Sequence, residues 1–114
     1  MEQLFKLFEG NSDSYIKSTV SGELDDRGKR ITKYLTVNEP LTTTQWQEHL
    51  EGKTRIGLKP ERDNKCLWGC IDVDPSSYKN YNQKKYVDII KEYKLPLVPI
   101  KSKSGGLHIF VFFT

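Results

Sequence analysis

Apolar and polar positions alternate with two different periods along this chain, and each change of period marks an element. Leu4-Phe5-Lys6-Leu7-Phe8 is a short apolar element of one or two helical turns, stopped at Gly10. Tyr15 to Val20 and Ile31 to Val37 are β-prone and flank the turn residues Ser21 to Gly28, which predicts a hairpin. Between Thr42 and Glu51 the period becomes helical. Thr42 and Gln45 have capping-box spacing, Trp46, His49 and Leu50 share a face, and Gly52 suits the exit. A strand over Thr54 to Leu58 follows, then a longer one from Cys66 to Val73. Tyr81 to Lys94 reads as a helix with Tyr86, Val87, Ile89, Ile90 and Tyr93 as its buried stripe. Leu95 to Ser102 is extended, with Pro96 and Pro99 marking an edge or an irregular start. Lys103 to Gly106 turns, and Leu107 to Phe113 returns as a strand.

Strands and helices interleaved in this way predict an α+β fold, a mixed sheet with packed helices. No repeat, low-complexity stretch or Pro/Gly-rich linker divides the 114 residues, so a single domain over 1–114 is expected. A chain of this length buries roughly two-thirds of its unfolded surface, enough for one thin core. A hydrophobic content of 36% beside 29% charged residues places it among soluble globular chains rather than disordered ones. No apolar run approaches the roughly 20 residues that cross a bilayer. Met1-Glu2-Gln3 lacks the basic start of a signal peptide. A cytoplasmic location with no membrane partner is the default expectation.

The net charge of +3 is too small to identify a partner. Between Lys84 and Lys103, however, six lysines stand against Asp88 and Glu92. That excess suits a phosphate-rich ligand, and equally an ordinary solvated helix face. Cys66 and Cys70 have C-x3-C spacing with no second pair to complete a zinc site, so both are expected as reduced thiols in the core.

Candidate chemistry begins at Cys70-Ile71-Asp72-Val73-Asp74. Strand alternation puts Asp72 and Asp74 on one face and Ile71 and Val73 on the other. Two carboxylates side by side repel, and a divalent cation relieves that repulsion. Mg²⁺ suits oxygen donors and shares its shell with substrate phosphates. By itself D-x-D is equally the pattern of a turn cap at Asp74-Pro75 beside a solvent-facing acid. Ser102-Lys103-Ser104-Gly105-Gly106-Leu107-His108 is the second candidate. Its glycines allow close backbone approach, its N–H groups and hydroxyls suit phosphate oxygens, and Lys101 and Lys103 add positive charge. His108 points with Phe110 and Phe112, and can donate to a triphosphate. A plain hairpin turn followed by a core histidine explains the same residues, and no G-K-[ST] makes this a Walker A loop.

A D-x-D strand, a helix and an S-G-G-x-H turn-strand, in that order, resemble motifs I and II of the archaeo-eukaryotic primase superfamily. The likeness is greatest to primase domains of phage and mobile-element proteins, including those of TOTE conflict systems. Trp46 to Gly52, Ile56-Gly57-Leu58, Cys66 to Asp74, Leu95-Pro96-Leu97 and Ser102 to Phe110 carry it, so it covers Pro40 to Phe113 well and the first part of the chain loosely.

The resemblance implies a DNA primase or polymerase with an RRM-like sheet at its catalytic centre. Asp72 and Asp74 would bind metal, Mg²⁺ or Mn²⁺. His108 would contact the nucleotide's phosphates, with Ser102, Lys103, Ser104, Gly105 and Gly106 in the same nucleotide-binding turn. The implied partners are a DNA template and primer, an NTP or dNTP, and a helicase domain or subunit. Many members carry serine where this chain has Gly106. The family's third motif, a further acid on a later strand, has no counterpart after His108. A core truncated before that motif, or an acid supplied from elsewhere, is therefore expected, and the piece alone would bind nucleotide yet catalyse poorly.

Two other classes remain open at this level. One is a non-catalytic nucleic-acid-binding module using the lysine-rich helix with Trp68, Tyr78 and Tyr81; the other is a metal-dependent nuclease. Arg55, Lys59 and Arg62 either touch phosphates or are simply solvated, while Trp46 and His49 are expected to pack a helix onto a sheet.

Overall fold

The computed structural model describes residues 2–113. Its fold is α+β, and the contacts gather into two compact units, one up to Cys66 and one from Leu67 onward. Every strand pairing among the described residues is antiparallel, in three small sheets rather than one mixed sheet. No helix among them is long and apolar enough to cross a membrane.

The first unit opens with α1 (Glu2–Leu7), followed by β1 (Tyr15–Leu24) and β2 (Arg30–Val37). β1 runs four residues beyond its expected end. A register shift between Val20 and Leu24 absorbs the extra residues and carries the hairpin to a tight turn. There Asp25 Oδ1 accepts from the N–H groups of Arg27 and Lys29, each at 2.9 Å, and Gly28 supplies the left-handed φ of 77°. The Lys29 N–H, first among these contacts, holds the Asp25 carboxyl below its ordinary range.

Helix α2 (Thr43–Leu50) starts where the capping signature places it, with the Thr42 N–H donating to Gln45 Oε1 at 2.8 Å. Its Trp46 is buried, tilted against Phe8 and edge-on to His49. His49 Nδ1 lies 3.2 Å from the Thr54 carbonyl, tying α2 to the segment before β3 (Arg55–Gly57). β3 completes the order β2-β1-β3. A two-residue hairpin, β4 (Glu61–Arg62) with β5 (Lys65–Cys66), closes the unit and was not anticipated. It takes Cys66 out of the strand expected over Cys66 to Val73.

In the second unit β6 (Trp68–Val73) leads through a 3-10 turn (Pro75–Ser77) to α3 (Gln83–Glu92), then to β7 (Val98–Lys101) and β8 (Leu107–Phe112). The order β6-β8-β7 is a split β-α-β: β6 and β7 run the same way, and β8 fills the gap between them. Strand alternation sends Val73, Leu107 and Ile109 to one face, where Ile90 of α3 completes a buried cluster ringed by Tyr81, Tyr86 and Leu97.

The stripe on α3 is narrower than its sequence suggests. Ile89 and Tyr93 are exposed, because the ten-residue helix, capped by Asn82, presses only one ridge onto three strands. Both cysteines are exposed as well as free, so neither is the core thiol expected of it.

Leu107 is 1% exposed, whereas Ile71, on the same side of the sheet at its β6 edge, is 54% exposed. Leu107→Ala is expected to cost about 2–5 kcal/mol in denaturant unfolding. Ile71→Ala should cost no more than about 0.5 kcal/mol; equal losses would contradict this placement of the core.

Candidate functional site

The register of β6 against β8 places the acid and the histidine. Asp72 lies directly opposite His108, and its flanking pairs are Ile71 with Ile109 and Val73 with Leu107. Directly opposed residues share a face, so the hydrophobic face that α3 covers leaves Asp72 and His108 together on the other. His108 Nε2 stands 3.6 Å from Asp72 Oδ1, with both side chains substantially exposed. That separation is too long for a direct hydrogen bond and leaves the two groups able to share a ligand. His108 is also edge-on to Phe110, with ring centroids 6.3 Å apart, and Phe110 stacks on Phe112.

Asp74 follows the last ladder residue. Its backbone is still extended (φ −91°, ψ 125°), so its side chain leaves from the same side of the strand as Asp72. Its Oδ1 accepts from the Ser76 N–H at 3.0 Å, capping the 3-10 turn. The turn cap at Asp74-Pro75 beside a solvent-facing Asp72, the plainer of the two sequence alternatives, is therefore present. Oxygen donors of this kind suit a hard divalent cation. Two carboxylates supply part of an octahedral shell, and among the described residues no third His, Cys, Asp or Glu completes a cluster. The donor type fits Mg²⁺ or Mn²⁺; the donor number fits an ion that takes further ligands from water and substrate.

The turn Ser102 to Gly106 joins β7 to β8 and ends beside these acids. Ser102 N–H donates to the Gly106 carbonyl at 2.9 Å and Gly105 N–H to the Ser102 carbonyl at 3.2 Å, while the two serine hydroxyls of Ser102 and Ser104 lie 3.3 Å apart. Gly105 has φ 85°, which a side chain disfavours. Gly106 is glycine for another reason. A Cβ there would run into the carbonyl oxygen of Val73 and crowd Pro75 and Ser102. Its close approach is thus to the peptide between the two aspartates, and a side chain such as serine's has no room here.

Cys70 shares the face of Asp72, two residues along. Although the residue is exposed, partial desolvation of its sulfur first, and the Asp72 carboxylate second, push the thiol above the ordinary 9.0. The sequence reading missed this neighbour because it assigned Cys70 to the core.

Other candidates are occupied elsewhere. Lys59 Nζ donates to Ser14 Oγ at 2.9 Å, and Arg62 lies 3.6 Å from Glu9, both within the first unit. Trp68 is buried against Phe110, and Tyr81 packs on Tyr86, which removes two of the three aromatics proposed for stacking on nucleic acid. Tyr78 alone of the three is exposed.

The family described as TOTE conflict system, Archaeo-Eukaryotic Primase domain, matches over residues 1–114. No curated protein and no solved structure matches the chain.

Gly106→Ser is expected to cost about 1–3 kcal/mol in thermal or denaturant unfolding. Gly69→Ala, whose Cβ would meet Val111 at an ordinary 3.5 Å, should be near neutral. In a Cys66→Ser background, the rate of Cys70 alkylation should rise with a midpoint above pH 9.0. Asp72→Asn removes a negative charge that opposes the thiolate, so it should move that midpoint down; no movement would separate the two side chains.

Proposed function

From its membership of the archaeo-eukaryotic primase domain family of TOTE conflict systems, which gives the chain a primase-type nucleotidyltransferase function in general, we propose that Asp72, Asp74 and His108 form the nucleotide end of a DNA-templated polymerase site. The observation that carries this reading is the pairing of Asp72 with His108 across β6 and β8, at the foot of the glycine turn.

Asp72 and Asp74 hold the divalent cation. When bound, such an ion lowers the pKa of an attacking hydroxyl and neutralises charge on a leaving pyrophosphate. The protein's own residues fix the geometry of an NTP or dNTP. His108 Nε2 projects beside Asp72 and donates to a phosphate oxygen. The turn uses the N–H groups of Ser102 and Gly105 internally, so phosphate contacts fall to Lys103, the Ser104 hydroxyl and the remaining backbone N–H groups. A 3′-hydroxyl aligned with the α-phosphate then needs positioning and charge neutralisation more than covalent help. The third acid of the family pattern is supplied from outside the residues that carry motifs I and II. A DNA template and primer are the macromolecular substrates of this reading, and an associated helicase is its furthest extension.

The non-catalytic binding module loses ground because Trp68 and Tyr81 are packed. Primer extension by the full-length parent protein decides the assignment. Asp72→Ala and His108→Ala are each expected to lower extension at least about 100-fold, the scale of losing one preorganised electrostatic contact. Undiminished synthesis by Asp72→Ala would remove the site. DNA cleavage without added nucleotide would select the nuclease instead.

A further inference from the structure

The face of the β6-β8-β7 sheet that α3 leaves uncovered carries more than its polar pair. His108 has Asp72 of β6 directly opposite on one side and Ile100 of β7 on the other. The next row toward the end of β8 is Cys70, Phe110 and Val98, and the one after pairs Trp68 with Phe112. Within four residues of β8 the face passes from a polar row to an aromatic one.

Among the described residues no hydrogen bond holds the imidazole of His108. Its Nε2 stands 3.6 Å from Asp72 Oδ1, beyond hydrogen-bonding range. A histidine that presents one ring nitrogen to a ligand is ordinarily oriented by a hydrogen bond at the other. Here the ring is met by Phe110 instead, two residues on and on the same side of β8. The centroids are 6.3 Å apart and the planes cross at 89°, the edge-to-face arrangement that aromatic quadrupoles favour.

Phe110 is itself braced. Phe112 lies within 16° of parallel to it at 6.2 Å, and the buried Trp68 lies at 6.1 Å with a tilt of 50°. A ring packed between two others has its rotamer fixed, which is what a neighbour must have in order to fix a functional side chain. The imidazole, with its side chain 46% exposed, is the open end of this row of rings.

We propose that Phe110 is the positioning residue of His108: its ring, locked by Trp68 and Phe112, sets the plane of the imidazole and keeps Nε2 directed at the ligand position beside Asp72. That the ligand is a nucleotide rests on the polymerase reading above. The orientation of the ring stands apart from it.

Two measurements on the whole chain test this. The first is ¹³C relaxation of the imidazole C–H groups in histidine-labelled protein, where His49 and His108 are the only two histidines and His49 serves as the internal control. Wild type and Phe110→Tyr, which keeps the ring, should show an ordered His108. Phe110→Leu should bring the His108 order parameter down to about 0.6 or below, the range of flexible groups, with His49 unchanged. The second is Mg²⁺-dependent binding of a fluorescent dATP. Phe110→Leu is expected to weaken it about 2- to 12-fold, the scale of one aromatic pair, and Phe110→Tyr to stay within about twofold of wild type. In a His108→Ala background the same Phe110→Leu change should have no further effect, because Phe110 acts only through the imidazole. Phe110→Met, which fills the gap without a ring, repeats each comparison so that neither rests on the folding of one variant.

An equal loss of dATP binding in both backgrounds would overturn the proposal by marking Phe110 as a packing residue alone. An unchanged His108 order parameter in Phe110→Leu and Phe110→Met would overturn it as well. Full dATP binding by His108→Ala, together with an imidazole that Phe110→Leu sets free, would instead overturn the nucleotide reading and leave the positioning in place.

Discussion

The antiparallel register of β6 against β8 brings an acid of one strand and an imidazole of another, 36 residues apart, to a single spot. The pair itself, 3.6 Å apart, is not what enforces this. It is enforced from the reverse side, where Val73, Leu107 and Ile109 are buried with Ile90 beneath α3. A slip of β8 by one residue against β6 would move Leu107 and Ile109 into water and turn His108 against the helix, away from Asp72. The polar pair is held in place by hydrophobic burial it takes no part in, and it can remain exposed and available for a ligand.

The glycine turn is fitted to that arrangement more tightly than its sequence suggests. Gly105 answers a backbone requirement, a positive φ, whereas Gly106 answers a packing one: the turn sits against the Val73 carbonyl, between the two aspartates. One oxygen of Asp74 caps the turn that leads away from the strand.

The two units differ in how they use their surfaces. The second buries one side of its small sheet under a helix and presents the pair of site residues on the other. The first extends a hairpin whose β2 is exposed along most of its length, with Tyr34 and Leu35 both open to solvent. Such a strand contributes little to a core.

Local sequence determined the elements whose signals are local. The capping residues before α2, the turn chemistry near Asp25 and Gly28, the strand character of Leu107 to Phe112 and the shared face of His108 with Phe110 and Phe112 all follow from backbone preference and period. So did the order of the D-x-D strand, helix and S-G-G-x-H turn that carries the family likeness. Tertiary structure decided the rest, because pairing partners and neighbours are not written in any one segment. It set Asp72 opposite His108, drew Cys66 into a separate short hairpin and left Cys70 exposed beside the acid. It buried Trp68 and Tyr81, which sequence alone offered to a ligand, and bared Ile89 and Tyr93 because a ten-residue helix presses a single ridge on a three-stranded sheet. Period tells which residues share a face; only the packed strands decide which face is covered.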